Sequence, residues 1–295
     1  MNFPNYFADA DASLDEADFV IFGVPYDKTS SFRKDARHAP DKIREASWNF
    51  ETYDFRTDTD LKDIKIHDYG NLELKNDTPS QMVEKVTKFT KDLLKKNKFP
   101  VAIGGDHSIT PGIIRAFPKD IAVISLDAHM DFRDIYENEK YSHACVTKRI
   151  SEHIDIKNIA VIGLRSAEKE EFYNSKKENL FFVDSFEIKK EGIKQAIKKT
   201  KSYLKNKKIY LTLDIDCIDP SYAPGTSTPE PFGITPFDLI DIIDAFSQKL
   251  VGFDIVEVCP SYDNGETSIL ASKLIRLIVV NVYENIKNKD RNYKY

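Results

Sequence analysis

Cysteine is scarce. Cys145, Cys217 and Cys259 are the only three in 295 residues, an odd and sparse set that excludes a disulfide framework as an organising principle and leads to the expectation of a reducing, cytoplasmic setting. Long apolar runs are missing as well: no stretch approaches the ~18 uninterrupted apolar residues of a membrane span. The opening segment MNFPNYFADADASLDEADF has no basic stretch followed by an apolar one, so neither secretion nor a membrane partner is expected. Excess positive charge is absent, since 43 Lys and Arg face 48 Asp and Glu for a net charge of −5, which removes any general attraction for nucleic acid. Lysines do cluster in 85–98 and 189–208, but around apolar residues at helical spacing, as on the wet face of a surface helix. No Gly/Ser linker or internal repeat divides the chain, and a single domain over residues 1–295 is expected.

What the sequence has is a series of short apolar, β-branched runs: 19–24, 64–70, 100–105, 121–126, 159–164, 180–184, 209–216 and 251–258. They are apolar on both alternations, which marks strands buried on both faces. Most are separated by helical patterns such as 80–96 and 235–250, with a further helix expected near Pro40, and strands alternating with helices imply right-handed crossovers. The expected fold is α/β, a single three-layer domain with a mainly parallel central sheet of about eight strands flanked by helices. Two connections are long, roughly 25–63 and the proline-rich 214–236, and long ordered loops are commonly functional.

Polar residues collect where these runs stop. The third ends in Gly104-Gly105-Asp106-His107, the fourth in Asp127, His129 and Asp131, the seventh in Asp214 and Asp216, and the eighth in Glu257, with His143 on the loop after the fourth. In open parallel sheets ligands bind beyond the carboxyl ends of the strands. An isolated Asp-x-His-x-Asp is commonly an ordinary turn, and Asp-x-Asp says less still; the co-location of several such pieces at one sheet edge is what points to a site. Alternate spacing aims Asp127, His129 and Asp131 the same way if extended geometry persists. Four carboxylates crowded together would push one another's pKa values upward unless cations were present. Two divalent ions would neutralise them, and oxygen-rich ligation with imidazole and no thiolate suits Mn²⁺ better than Zn²⁺.

The segments IGGDHS (103–108), SLDAHMD (125–131), SHACV (142–146), LTLDIDCIDPSYAPGTSTPEP (211–231) and DIVEVCPSYD (254–263), in that order, resemble the ureohydrolases, the arginases, agmatinases and relatives that hydrolyse guanidino compounds to urea and an amine. GVPYDKTSSFRKDARHAPDKIR (23–44) resembles the agmatinase type of N-terminal segment, so the likeness runs from about residue 20 onward. The resemblance implies an arginase-like fold, two Mn²⁺ per chain, a small-molecule guanidino substrate and a homo-oligomer, trimer or hexamer. It implies that His107, Asp127, Asp131 and Asp214 bind one ion and His129, Asp127, Asp214 and Asp216 the other. Glu257 would hold the guanidinium, Asp131 would take the remaining proton of the attacking hydroxide, and His143 would touch substrate and shuttle a proton to the leaving amine.

The chain departs from the family pattern in places. Many relatives have glycine where it has Asp35 and Ala39, and Gly-x-Gly where it has GTST and EPFG, so that Phe232 is expected to narrow or reshape the pocket mouth. Arginases carry Asn at the position of Arg133, where it helps hold the amino acid's carboxylate. Arg133 either meets the substrate tail, binding a carboxylate in its own way, or pairs structurally with Asp134 or another acid. Agmatine, giving putrescine and urea, is the expected substrate, with guanidinobutyrate, aminopropylagmatine and arginine as alternatives within the enzyme class. A catalytically silent scaffold is the alternative outside it, set against the presence of all six ligand candidates together with His143 and Glu257.

Overall fold

A computed structural model describes residues 3–292; the outermost positions of the expected domain, 1, 2 and 293–295, lie outside the described residues. Eight strands form one sheet: β1 (Phe19–Val24), β2 (Ile66–Asn71), β3 (Phe99–Gly104), β4 (Ala122–Leu126), β5 (Ile159–Leu164), β6 (Phe181–Asp184), β7 (Ile209–Asp214) and β8 (Leu250–Val256). Every pairing in the order β2-β1-β3-β8-β7-β4-β5-β6 is parallel. Each strand begins and ends within two residues of an expected apolar run.

The sequence of β1 shows why the runs are apolar throughout. Phe19 and Ile21 face one core, while Val20, Phe22 and Val24 face the other, because successive side chains of a strand point to opposite faces. The first core is closed by α1 (Ala39–Ser47), α6 (Ser185–Glu191), α7 (Ile193–Leu204), α8 (Pro236–Phe246) and α9 (Glu266–Asn292). The second is closed by α2 (Pro79–Lys95), α3 (Thr110–Ile114), α4 (Val146–Ser151) and α5 (Lys169–Lys177). In α2, Thr78 and Gln81 form a reciprocal capping box ahead of Pro79, and Met82, Val83, Val86 and Leu93 turn inward while the lysines stay outside. The lysine-rich 189–208 stretch is two helices, since Gly192 adopts φ +86° and ends α6 before α7 begins. A small antiparallel pair, Tyr53–Asp54 with Thr59–Asp60, occupies part of the first long connection. Among the described residues no helix is long and apolar enough to cross a membrane.

Candidate active site

Parallel strands deliver their last residues to one edge, and β1, β3, β8, β7 and β4 are neighbours there. Asp214 is the last residue of β7, Asp127 follows β4 directly, Glu257 follows β8, and His107 opens a single helical turn just beyond β3. Gly105 makes this convergence possible: a Cβ there would lie 1.9 Å from the carbonyl oxygen of Tyr26. With no side chain, the chain threads between the ends of β1 and β8, its N–H donating to Val24 O and its carbonyl accepting from Glu257 N.

His107 Nδ1 faces three carboxylates at once, Asp127 at 3.2 Å, Asp131 at 3.3 Å and Asp214 at 3.2 Å. His129 Nδ1 lies 2.9 Å from Asp216 and 3.8 Å from Asp127. Two groups therefore have the proximity a metal ion requires, His107 with Asp127 and Asp214, and Asp127 with His129 and Asp216, and Asp127 is common to both. Asp131 joins the first through its approach to His107, whereas Asp214 is not brought into the second; its Oδ1 accepts the N–H of Asp216 at 2.9 Å. His107 Nδ1 and Asp127 Oδ2 are buried and complete no hydrogen bond among the described residues. A cation between them would satisfy both, and the oxygen-rich donor set fits a divalent ion.

The electrostatics point the same way. Burial, then the charge of Asp127, pushes Asp131 up to about 7. Burial, then Asp216 and Asp127, raises Asp214 well above the carboxylate range. On His107 burial disfavours charge, but the three carboxylates outweigh it and raise its pKa well above the usual value. A site whose acids resist ionising together, and whose imidazole is driven to take up a proton, is one that lacks positive charge. Two of its carboxylates also sit on strained backbone, Asp131 at φ +50° and Glu257 at φ +64°, the left-handed region that non-glycine residues rarely adopt.

His107, His129, Asp131, Asp214 and Asp216 line a cavity of about 250 Å³ together with His143, Glu257 and Arg133. Asp127 lies beneath them, 1% exposed. Glu257 is held by the backbone N–H of His107, 2.6 Å from Oε1, and by the hydroxyl of Ser227 on Oε2. His143 is fixed through its backbone N–H to Thr29 Oγ1 at 3.0 Å, and Thr29 in turn donates to the buried Asp106. Burial and then the charge of His129 hold the His143 imidazole down at about 4. Its Nε2 faces Ser31 Oγ at 3.4 Å.

A buried relay under the site has no counterpart in the sequence reading. His107 Nε2 meets Thr212 Oγ1 at 2.9 Å, and Thr212 donates to Asp254 Oδ1 at 2.6 Å. Tyr210 and Thr110 donate to the other oxygen of Asp254. A carboxylate reached through a hydroxyl thus fixes the tautomer and the aim of His107. The signal that could have found it is a polar pair, Thr212 and Asp254, each interrupting an otherwise apolar strand.

Of the partners expected for Arg133, Asp134 pairs instead with the buried Arg149, and it is another acid, Glu171, that lies 3.5 Å from Arg133 Nε. One expectation changes. Phe232 is 69% exposed, packs toward Phe186 and does not line the cavity. It does adopt φ +69°, and Asp35 adopts φ +139°, so both stand in conformations natural to glycine.

The sequence model of the arginase family matches residues 17–280. The chain belongs to the arginase family. Within this family it is 37% identical over 269 residues to an agmatinase of Bacillus subtilis (89% of this chain, 91% of that one). It is 32% identical over 265 residues to the N(1)-aminopropylagmatine ureohydrolase of Thermococcus kodakarensis (88% and 89%). The crystal structure of the agmatine ureohydrolase of Thermoplasma volcanium superposes with a TM-score of 0.92 at 39% identity, covering 98% of this chain and 97% of that one. An eight-stranded parallel sheet flanked by helices is the arginase-like architecture.

Proposed function

We propose that this chain is a binuclear manganese ureohydrolase that cleaves agmatine to putrescine and urea. The observation that carries the reading is two potential ligand groups sharing Asp127 on the floor of a small cavity that Glu257 and His143 also line. His107, Asp127, Asp131 and Asp214 would hold one ion, and His129, Asp127 and Asp216 the other, which Asp214 would join by turning from the Asp216 N–H that its Oδ1 accepts. When bound, such ions supply hydroxide near neutral pH. Agmatine is the substrate named in the relatives above, and the cavity wall supports it: Glu168, Glu171 and Glu230 line it, with Arg133 as its one Lys or Arg. That wall suits a tail ending in a cation.

Glu257 would accept paired N–H bonds from the guanidinium and so fix its carbon in the cavity; His107 N–H and the Ser227 hydroxyl hold that carboxylate in place. Attack makes a C–O bond, and collapse breaks the C–N bond to the alkyl amine. Asp131, beside His107 and Asp127 at the floor of the cavity, would take the proton left on the attacking oxygen and return it to the departing nitrogen. His143, neutral at rest because its pKa lies at about 4, relays the further proton that makes the product an ammonium. The diamine product places the reaction in polyamine, specifically putrescine, synthesis. Three free, buried cysteines suit a cytoplasmic enzyme, and the exposed Phe55 and Phe237 are apolar surface that other copies in a trimer or hexamer would cover.

A urea-release assay with Mn²⁺ over agmatine, aminopropylagmatine, guanidinobutyrate and arginine tests this. The expected result is agmatine preferred over arginine by at least about 10² in kcat/KM; comparable arginine turnover would sink the agmatine assignment.

A further inference from the structure

Arg133 poses a difficulty for a cavity that takes a cationic tail, because an unpaired guanidinium in its wall would repel that tail. The structure holds it in a clamp. Its guanidinium lies over the Tyr136 ring, 4.8 Å from the centroid, and its Nε faces Glu171 Oε2 at 3.5 Å. Glu171 is a buried carboxylate, its side chain 4% exposed, reaching in from the first turn of α5. Its Oε1 accepts the N–H of Phe132 at 2.6 Å and its Oε2 that of Glu168 at 3.1 Å. One side chain therefore fixes the backbone beside Asp131 and pairs with the nearest fixed cation of the wall.

We propose that Glu171 determines the enzyme's choice of substrate tail: by pairing with Arg133 it cancels that charge toward the cavity, so that ammonium-tailed guanidino compounds are accepted and carboxylate-tailed ones are not. This rests on the guanidino-hydrolysing reading of the site. Tyr136 completes the device by holding the guanidinium over its ring, and Tyr136 also stands edge-on to His143, with ring centroids 5.6 Å apart. Glu171 touches no reacting atom in this account; it is a positioning residue, and its effect reaches the substrate through Arg133. Glutamine at 171 keeps an oxygen for Phe132 N–H but removes the charge, leaving Arg133 free to attract a carboxylate.

The test measures kcat/KM for agmatine and 4-guanidinobutyrate, with manganese content, on wild type, Glu171→Gln, Arg133→Met and the double variant. Glu171→Gln is expected to lower the agmatine-to-guanidinobutyrate ratio at least about tenfold, chiefly through KM. Arg133→Met in that background is expected to restore the ratio, and Arg133→Met alone to widen it. An unchanged ratio in Glu171→Gln with both substrates slowed alike would show a merely structural role and overturn the proposal, as would a wild-type preference for guanidinobutyrate. If Glu171→Gln loses manganese, Arg133→Met decides alone, and a ratio that falls or stays level overturns the proposal. Wild-type protein releasing urea from neither compound would instead defeat the underlying reaction.

Discussion

Replacing Thr212 by valine keeps the side chain's shape and removes one hydroxyl, which makes it a clean probe of the relay beneath His107. Two hydrogen bonds disappear together, the 2.9 Å bond from His107 Nε2 and the 2.6 Å bond to Asp254 Oδ1. Both orphaned groups are buried; His107 is 1% exposed and Asp254 0%. Asp254 keeps Tyr210 and Thr110, but only on its other oxygen. Leaving a buried polar group unsatisfied costs about 1–3 kcal/mol, so the metal-free variant should lose about 3 kcal/mol of stability. The imidazole, no longer held in one tautomer, should bind metal about 10–100-fold more weakly. Thr212→Ser, which retains the hydroxyl, should recover most of both effects. Competition with a calibrated chelator gives the Mn²⁺ affinity and denaturant melts of metal-free protein give the stability. A valine variant that binds Mn²⁺ as tightly as wild type would refute the relay.

Asp127→Ala should lose both ions together, because Asp127 belongs to both ligand groups, whereas Asp216→Ala should keep one; elemental analysis of purified protein distinguishes them, and a single tightly held ion in Asp127→Ala denies the shared role. His143→Ala should lower turnover with metal content intact, since the ring belongs to neither group; parallel loss of metal and activity would make it a ligand. In metal-free protein the depressed His143 pKa of about 4 means that the unfolded chain, with histidine near 6.5, takes the proton first, so stability falls as pH drops from about 6.5 toward 4. His143→Asn should flatten that part of the stability–pH curve, read by chemical denaturation. Phe232→Gly should raise stability by about 1 kcal/mol, because φ +69° penalises a side chain and the exposed ring has little packing to lose; a lower melting temperature would contradict this.

The sheet was legible because doubly buried parallel strands read as unbroken apolar runs. β1 carries a core-packing side chain at every position but Gly23, so its period could not be mistaken. The edge on which His107, Asp127, Asp214 and Glu257 gather was legible for a related reason, since a parallel sheet sends every strand's last residue the same way. Strand order was not legible, and what depends on it stayed hidden. Thr212 and Asp254 are register partners of β7 and β8; in sequence they lie 42 residues apart and look like two unrelated polar interruptions. Glu171 was missed likewise, because nothing in 168–171 distinguishes a carboxylate turned toward Arg133 from its exposed neighbours. For Arg133 two roles stayed open, contact with the substrate tail or a pair with Asp134 or another acid; the fold turns Asp134 toward Arg149 and supplies Glu171 as the other acid.

Hydrolysis at this site should depend on two ions held by the ligand set together. Metal-free protein should be titrated with Mn²⁺ while urea release from agmatine and the bound metal are followed together. Turnover should be absent without metal and rise to a plateau at about two ions per chain; full activity at one ion, or with none, would contradict a binuclear site.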